Sequence, residues 1–235
     1  IQLIETDRRS YGYQVNMGIN MAKGEYVGIV ESDDFIDADS LEDLYVSALS
    51  HNADIMKADF RIFVSDREGK KYFKNMLMFK ENNIELYDKA LLCEEYPWLI
   101  KADRYLWKGL YRRSFLIENN IWLNETAGAA FQDQGFLAQT LIIAKRIVYA
   151  SSFYYNYRKD NDGSSVYSSR GIEYIANEFS YICEMMNTKL KSVKELYMPY
   201  IYQNMMQMVT TRYKMFALKE EYYEPEEKYI IIIRE

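Results

Sequence analysis

Polar and apolar positions along the first sixty-odd residues fall into alternating blocks of helix and strand. Val15, Ile19 and Ala22 recur at helical spacing with Gly18 and Met21 beside them, and Gly24 stands where a left-handed residue would stop a helix. Residues 26–30 are an unbroken apolar run, the pattern of a strand buried on both faces, so a central parallel strand is predicted. Leu41, Leu44, Ala48 and Leu49 return to helical spacing, with Asp39 and Glu42 placed for a capping box. Residues 54–64 then alternate, Met56, Ala58, Phe60 and Ile62 against Lys57, Asp59 and Arg61, which predicts a half-exposed strand. Residues 1–6 read as one further short strand.

The second half is patchier. Residues 72–87 have mixed periodicity and read as a loop over a site. A short helix is expected at 114–118 and a strand fragment at 121–123. Phe136, Leu137, Leu141 and Ala144 mark a helix over 131–144 with Asp133 at its start, and residues 147–158 read as one or two strands. From Gly171 the pattern is helical, with Ile172, Ile175, Phe179, Ile182, Cys183 and Met186 on one face. A second helix is expected over 193–218, broken or bent near Pro199. The one plausible boundary lies at 168–171. It divides the chain into an α/β domain, residues 1–169, and a helical C-terminal region, residues 170–235.

Candidate chemistry sits where the run 26–30 ends, at Glu31, Ser32, Asp33 and Asp34. Open α/β sheets bind ligands outside the carboxyl ends of their strands. Carboxylates this close repel one another unless water or a cation screens them, and magnesium needs only one or two protein carboxylates beside substrate phosphates. A solvated acidic turn that caps the next helix accounts well for Asp37 and Asp39 but poorly for Glu31. Asp133 has an ordinary reading as a helix cap or dipole partner, worth about 1 kcal/mol. The lone His51, at a helix end, reads as a surface or capping residue.

Composition narrows the classes. With 49% apolar and 27% charged residues the chain is globular, and a net charge of -6 without a basic stripe excludes a nucleic-acid partner. Cys93 and Cys183 lack metal-ligand spacing and read as reduced thiols. No apolar run approaches the roughly 18 residues that cross a bilayer. The 23 Tyr and 12 Met fit an irregular core or an adaptable contact surface equally well.

In order along the chain, NxGxxxAxGxY (Asn16, Gly18, Ala22, Gly24, Tyr26), an apolar run and Glu31-Ser32-Asp33-Asp34 resemble the nucleotide-sugar domain of family 2 glycosyltransferases. LWKGLYRRSFL at 106–116, FQDQGF at 131–136 and YNYRKDNDGSS at 155–165 resemble the second half of bacterial members that build surface polysaccharides. The resemblance spans 1–169 and implies a GT-A fold, a Rossmann-like, mostly parallel sheet flanked by helices.

It also implies roles. Asp33 aligns with the acid that binds Mn2+ or Mg2+, Glu31 replaces the first acid of the DxD motif with one more methylene, and Asp34 supports the site or the donor. Asp133 aligns with the catalytic base. Asn16, Arg158, Ser164 and Ser165 fall on the donor side, and Trp107 on the acceptor side. The function so implied is inverting, metal-dependent transfer from a nucleotide-diphospho-sugar to a glycan or lipid-linked acceptor in bacterial surface polysaccharide synthesis. The cytoplasm, or the inner face of the membrane, is the implied location.

The family's first strand, its loop and an acidic motif that holds the base and ribose precede the equivalent of Ile1. The sequence is therefore expected to lack the nucleotide-base half of the site and to bind donor weakly. Two other readings stay open, an inactive fragment or interaction module that keeps the fold, and a sugar nucleotidyltransferase. Residues 171–218 are amphipathic enough to touch a membrane, yet their polar face is not strongly basic, so a helical cap or a homodimer face is preferred.

Overall fold

A computed structural model describes residues 2–161 and 170–216. In chain order the strands are β1 (Tyr26–Gly28), β2 (Phe35–Ile36), β3 (Ile55–Ser65), β4 (Lys71–Met76), β5 (Gly109–Arg112) and β6 (Ile147–Arg158). The helices are α1 (Tyr11–Met21), α2 (Ser40–Ser50), the single turn α3 (Leu99–Ala102), α4 (Arg113–Glu118), α5 (Gln132–Ile143), α6 (Gly171–Asn187) and α7 (Lys194–Phe216).

One sheet runs in the order β1-β5-β3-β6-β2, and β4 pairs with the distal half of β3. Its centre is β3, not the run at 26–30. Lys57 and Asp59, the polar positions that made β3 look half exposed, are fully buried because each finds hydrogen-bond partners inside the protein. Asp59 accepts hydrogen bonds from Met78 N (2.7 Å) and Tyr87 Oη (2.7 Å to Oδ2). Lys57 Nζ lies 2.8 Å from Asp103 Oδ2, and Lys108 Nζ lies 3.1 Å from Oδ1 of the same carboxylate.

The predicted central parallel strand is instead the short edge strand β1, antiparallel to β5 and only partly buried. An apolar run marks burial without saying where the partner strands come from. The sheet is mixed rather than mostly parallel: among the described strands only β3 and β6 pair in parallel. Residues 2–6 form no strand, with Leu3 largely exposed, and residues 121–123 pack as buried coil. Residues 72–87 supply the exposed ribbon β4 and a 3-10 turn, not a loop over the cleft.

Packing forms three layers. On one face Ile55, Tyr111 and Ile147 meet Phe136, Leu141, Phe179 and Ile201 in the main core, so α5, α6 and α7 share it with the sheet. On the other face α2 lays Leu44 and Ala48 on Met56, Leu110 and Val148. Gly109 is needed where β5 meets β3, since a Cβ there would collide with the Met56 carbonyl oxygen and the Lys57 backbone.

Helix ends depart from expectation in small ways. Ser10 caps α1 by accepting from Tyr13 N (3.2 Å), and α1 stops at Met21, before Gly24. Asp39 precedes α2 without making a side-chain cap bond, so the capping box does not form. Helix α7 passes through Pro199 unbroken. The proline is exposed near the helix start, where the carbonyl left without a donor faces water.

Between Ala58 and Phe60 the β3/β6 register shifts, pairing Ala58 with Ala150, Asp59 with Phe153 and Phe60 with Tyr155. Such bulges re-aim side chains next to functional sites. Here the bulge delivers Tyr155 and Tyr157 to the carboxyl end of the sheet, against Trp107.

Candidate active site

A cleft of about 630 Å³ opens at that end, with Tyr11, Glu31, Asp33, Trp107, Asp133 and Arg212 in its walls. Six separate parts of the chain converge on it, Tyr157 and Asn161 at the end of β6 supplying the sixth.

The acidic loop is fixed from three directions. Tyr11 Oη donates to Glu31 Oε1 (2.6 Å), and Asn161 Nδ2 donates to Asp33 Oδ2 (2.7 Å). Asp34 accepts from Tyr155 Oη (2.7 Å) and from Arg158 N (2.7 Å), one donor to each oxygen, while Tyr155 Oη also accepts from Glu31 N (3.0 Å). Burial raises the Glu31 pKa; the Tyr11 bond opposes this, and the charges of Asp34 and Asp33 add to it. Asp34 is likewise raised, burial outweighing its two hydrogen bonds. The hydroxyls of Tyr11 and Tyr155 are pushed far up, by burial first and by the neighbouring carboxylates second. Both stay protonated donors.

Asp133 lies in the first turn of α5, after Phe131, whose left-handed backbone (φ 67°) turns the chain into the helix. Burial pushes the Asp133 carboxyl up to about 6, Gln134 offsets part of the shift, and the charge of Glu31 adds to it. Behind it, Glu178 of α6 accepts from Gly135 N (3.0 Å) and Asn124 Nδ2 (3.0 Å) and is pushed up to about 7 by burial, with Asp133 contributing. A side chain at position 135 would run into Glu178 and Tyr181. Glycine is what allows α6 to reach the start of α5.

An aromatic floor completes the cleft. Trp107 stacks on Tyr155 (4.2 Å between ring centres) and Tyr157 (5.3 Å) and meets the edge of Phe60 (5.0 Å). Its segment is pinned from below, where Lys57 Nζ donates to Tyr105 O (3.1 Å) and Tyr149 Oη donates to Asp103 Oδ2 (2.8 Å). Desolvation lowers Lys57 to about 8 despite Asp103. Burial works against ionisation of Asp103 as well, but the ammoniums of Lys108 and Lys57 outweigh it and hold its pKa below the usual range.

The structure thus brings together Glu31, Asp33, Asp133 and Trp107. Asp34 borders them, with both oxygens engaged by the protein. Asn16 lies elsewhere: its Nδ2 donates to Leu123 O (2.9 Å) and Glu125 Oε1 (3.1 Å), and its Oδ1 accepts from Leu123 N (2.9 Å). Its amide is saturated in clamping the buried coil, which leaves nothing to offer a donor. The Arg158 side chain pairs with Asp160 (2.8 Å) on the surface, and Ser164 and Ser165 lie outside the described residues. Sequence reasoning missed Tyr11, Tyr155, Asn161, Glu178 and Arg212. Tyr155 and Asn161 do fall in the 155–165 motif, but nothing local shows that they bond the acidic loop; Tyr11, Glu178 and Arg212 stand in no motif at all.

Among the described residues no group of three or more His, Cys, Asp or Glu is arranged to hold a metal ion. Glu31 Oε1 and Asp33 Oδ2 each accept one protein hydrogen bond, and the described residues donate no hydrogen bond to Glu31 Oε2 or Asp33 Oδ1. That donor set, at most two carboxylates with a free oxygen each, fits a hard divalent cation completed by water and substrate phosphates.

Residues 1–114 match the family model described as glycosyl transferase family 2. The chain is 28% identical over 154 residues to a cholesterol galactosyltransferase of Borreliella burgdorferi, a match over 63% of this chain and 42% of that protein. It is 26% identical over 169 residues to the poly(ribitol-phosphate) beta-N-acetylglucosaminyltransferase TarS of Staphylococcus aureus, covering 72% of this chain and 27% of the relative. In both cases it spans less than half of the relative's length. A crystal structure of S. aureus TarS in complex with UDP-GlcNAc superimposes with a TM-score of 0.66 at 23% identity, over 98% of this chain and 62% of that one. That likeness establishes the fold, an α/β, GT-A-like sheet flanked by helices. It is residues 1–114 that carry the similarity to glycosyl transferase family 2.

Proposed function

We propose that the cleft catalyses inverting transfer of a sugar from a nucleotide-diphospho-sugar to a glycan or lipid-linked acceptor in bacterial surface polysaccharide synthesis. The observation that carries this reading is Asp133, a carboxyl poised to about 6 that faces the same cleft as Glu31 and Asp33. One carboxylate is placed to take a proton, and a separate pair is placed for cation and diphosphate. The relatives' names support the reaction class, and the TarS structure in complex with UDP-GlcNAc supports a UDP-sugar as donor.

Asp133 takes the proton of the acceptor hydroxyl as the oxygen attacks the anomeric carbon, and the nucleoside diphosphate leaves from the opposite face. A carboxylate is a weak base for an alcohol, so proton transfer is concerted with attack and positioning supplies most of the gain. The rigid start of α5, held by Glu178, supplies that positioning. Trp107 gives the acceptor sugar a flat apolar surface to lie on. Asp33 and Glu31 would hold Mn2+ or Mg2+, which when bound neutralises charge on the departing diphosphate. Asp34 keeps the acidic loop in place. Arg158, Ser164 and Ser165 remain the donor-side candidates. No described helix is long and apolar enough to cross a membrane; the proposed location is the cytoplasm or the inner membrane face, where nucleotide-sugars are available.

Two measurements test this reading. Calorimetry with UDP-sugars at millimolar concentration should give binding heat with Mn2+ that EDTA abolishes and Asp33→Asn reduces; no heat with any nucleotide-sugar would sink the proposal. The pH profile of transfer gives the second test. Only ionised Asp133 accepts a proton, so kcat/KM should fall about tenfold per unit as pH drops below an apparent pKa near 6 and level off above it. A carboxylate at the ordinary value would move the fall to near pH 4. Because Glu31 and Glu178 interact with Asp133, the fitted value belongs to the group of acids.

A further inference from the structure

Arg212 is a cation in the cleft wall that nothing in the mechanism uses. It is 6% exposed, and among the described residues its Nη1 is buried without a hydrogen-bond partner. Among the described residues it forms no ion pair, and its guanidinium lies over the Phe131 ring, 5.1 Å from the centre. Its stem rests on Gly171, where a Cβ would come within 3.2 Å of Arg212 Cδ. Glycine at the start of α6 and the left-handed turn at Phe131 thus form a slot that holds this side chain. Desolvation lowers its pKa, and no carboxylate among the described residues compensates. A buried guanidinium left without an anion is costly to keep, since charges are normally buried only when paired.

The same wall carries Arg104, whose Nε donates to Lys101 O (3.1 Å) and whose Nη2 donates to Gln207 of α7. Both arginines line the cleft with Asp133, and both are tied to α7. The expected donor side, by contrast, lies at Asp33 and Asn161, at the end of β6. A planar fork of N–H donors suits a bidentate oxyanion, a phosphate or a carboxylate, and of the two a phosphate offers the greater charge.

We propose that Arg212, assisted by Arg104, binds a phosphate group carried by the acceptor, so that the acceptor hydroxyl is held at Asp133 by a charge contact distant from the reacting carbon. This rests on the transferase reading in calling the ligand an acceptor, but the phosphate site itself does not depend on transfer.

The test is a thermal-shift series on the full chain with inorganic phosphate, glycerophosphoglycerol as a phosphodiester, geranyl diphosphate as a lipid-type diphosphate, and UDP. For the wild type, phosphate should raise Tm. Arg212→Met should lose that rise while matching or exceeding the wild-type Tm without ligand, because an uncompensated buried charge has been removed. UDP with Mn2+ should shift both proteins equally. Asp133→Asn should keep the phosphate response whether or not it transfers sugar, which separates failure of this site from failure of the transferase reading. The stronger response between glycerophosphoglycerol and geranyl diphosphate identifies a polymer or a lipid as the phosphate's source. If Arg212→Met does not fold, Arg212→Lys keeps the charge but loses the fork, and its phosphate dissociation constant should rise roughly tenfold. No phosphate response in the wild type, an unchanged response in either variant, or loss of UDP binding with the arginine would overturn the proposal.

Discussion

Asp133→Asn should lower sugar transfer by roughly 10²–10⁴-fold, the usual contribution of a positioned base, while leaving donor affinity intact. The amide fills the same space at the start of α5 and removes a negative charge that burial and Glu31 disfavour. Tm should therefore hold or rise slightly, even though a carboxylate in the first turn gains from the helix dipole by up to about 1 kcal/mol. Residual transfer should lose the pH dependence near 6. Transfer at wild-type rates would remove Asp133 from the mechanism, and loss of donor binding together with rate would mean that it holds substrate instead of moving a proton.

Asp103→Asn should cause the largest loss of stability of any conservative change in the molecule. The carboxylate lies between Lys57 and Lys108, and all three side chains are buried. Removing the shared anion leaves two ammoniums in the interior, at a cost of about 3–5 kcal/mol. For a chain of this size that corresponds to a fall in Tm of roughly 6–20 °C. The sign of the pH effect follows from linkage. Folded Lys57 is already lowered to about 8, so between there and its unfolded value near 10.4 the unfolded chain binds more protons and stability rises with pH. In Asp103→Asn that window should open at lower pH, making the defect worst at neutral pH and smaller in alkali. A variant melting within 2 °C of wild type would show that the triad is not what holds the segment carrying Trp107; the threshold is about 0.5–1 kcal/mol for such a chain. Triple replacement by Leu or Met, which removes all three charges together, should be far better tolerated than the single change.

How much of this was legible beforehand depended on whether a signal was local. The helix at 131–144 with Asp133 in its first turn, the short helix near 114–118 and the two C-terminal helices follow from spacing alone, and the structure has them. The family resemblance, with its GT-A-like fold, also held. The place of each strand in the sheet did not follow. Residues 26–30 look like a core strand because Val27 and Ile29 do pack on the core, yet the run lies at the sheet edge and Val30 is half exposed. Strand β3 looks half exposed because it carries Lys57, Asp59 and Arg61. The first two are buried against partners some 20 to 50 residues away in sequence, which no local pattern shows.

The site divides in the same way. Glu31, Asp33 and Asp133 are visible as residue types at element ends. Tyr11, Tyr155 and Asn161, which hold the acids in place, and Arg212, which lines the same cleft, become visible only when distant parts of the chain meet. Asn16 shows the opposite error: a residue that fits the motif is engaged in clamping a coil.

The bulge in β6 has a consequence for how this site can vary. One continuous strand carries Ile147 and Tyr149 into the core and then Tyr155 and Tyr157 to the cleft floor, and the register shift between them sets which way the second pair points. Side chains on a strand alternate strictly, so removing one residue between Ala150 and Phe153 would turn Tyr155, Asn156 and Tyr157 to the opposite side while the core half stayed in place. Trp107 would lose both stacking partners, and Asp34 would lose its hydroxyl donor. At Ser151 and Ser152, spacing matters more than chemistry: many side chains would serve there, but only one number of them.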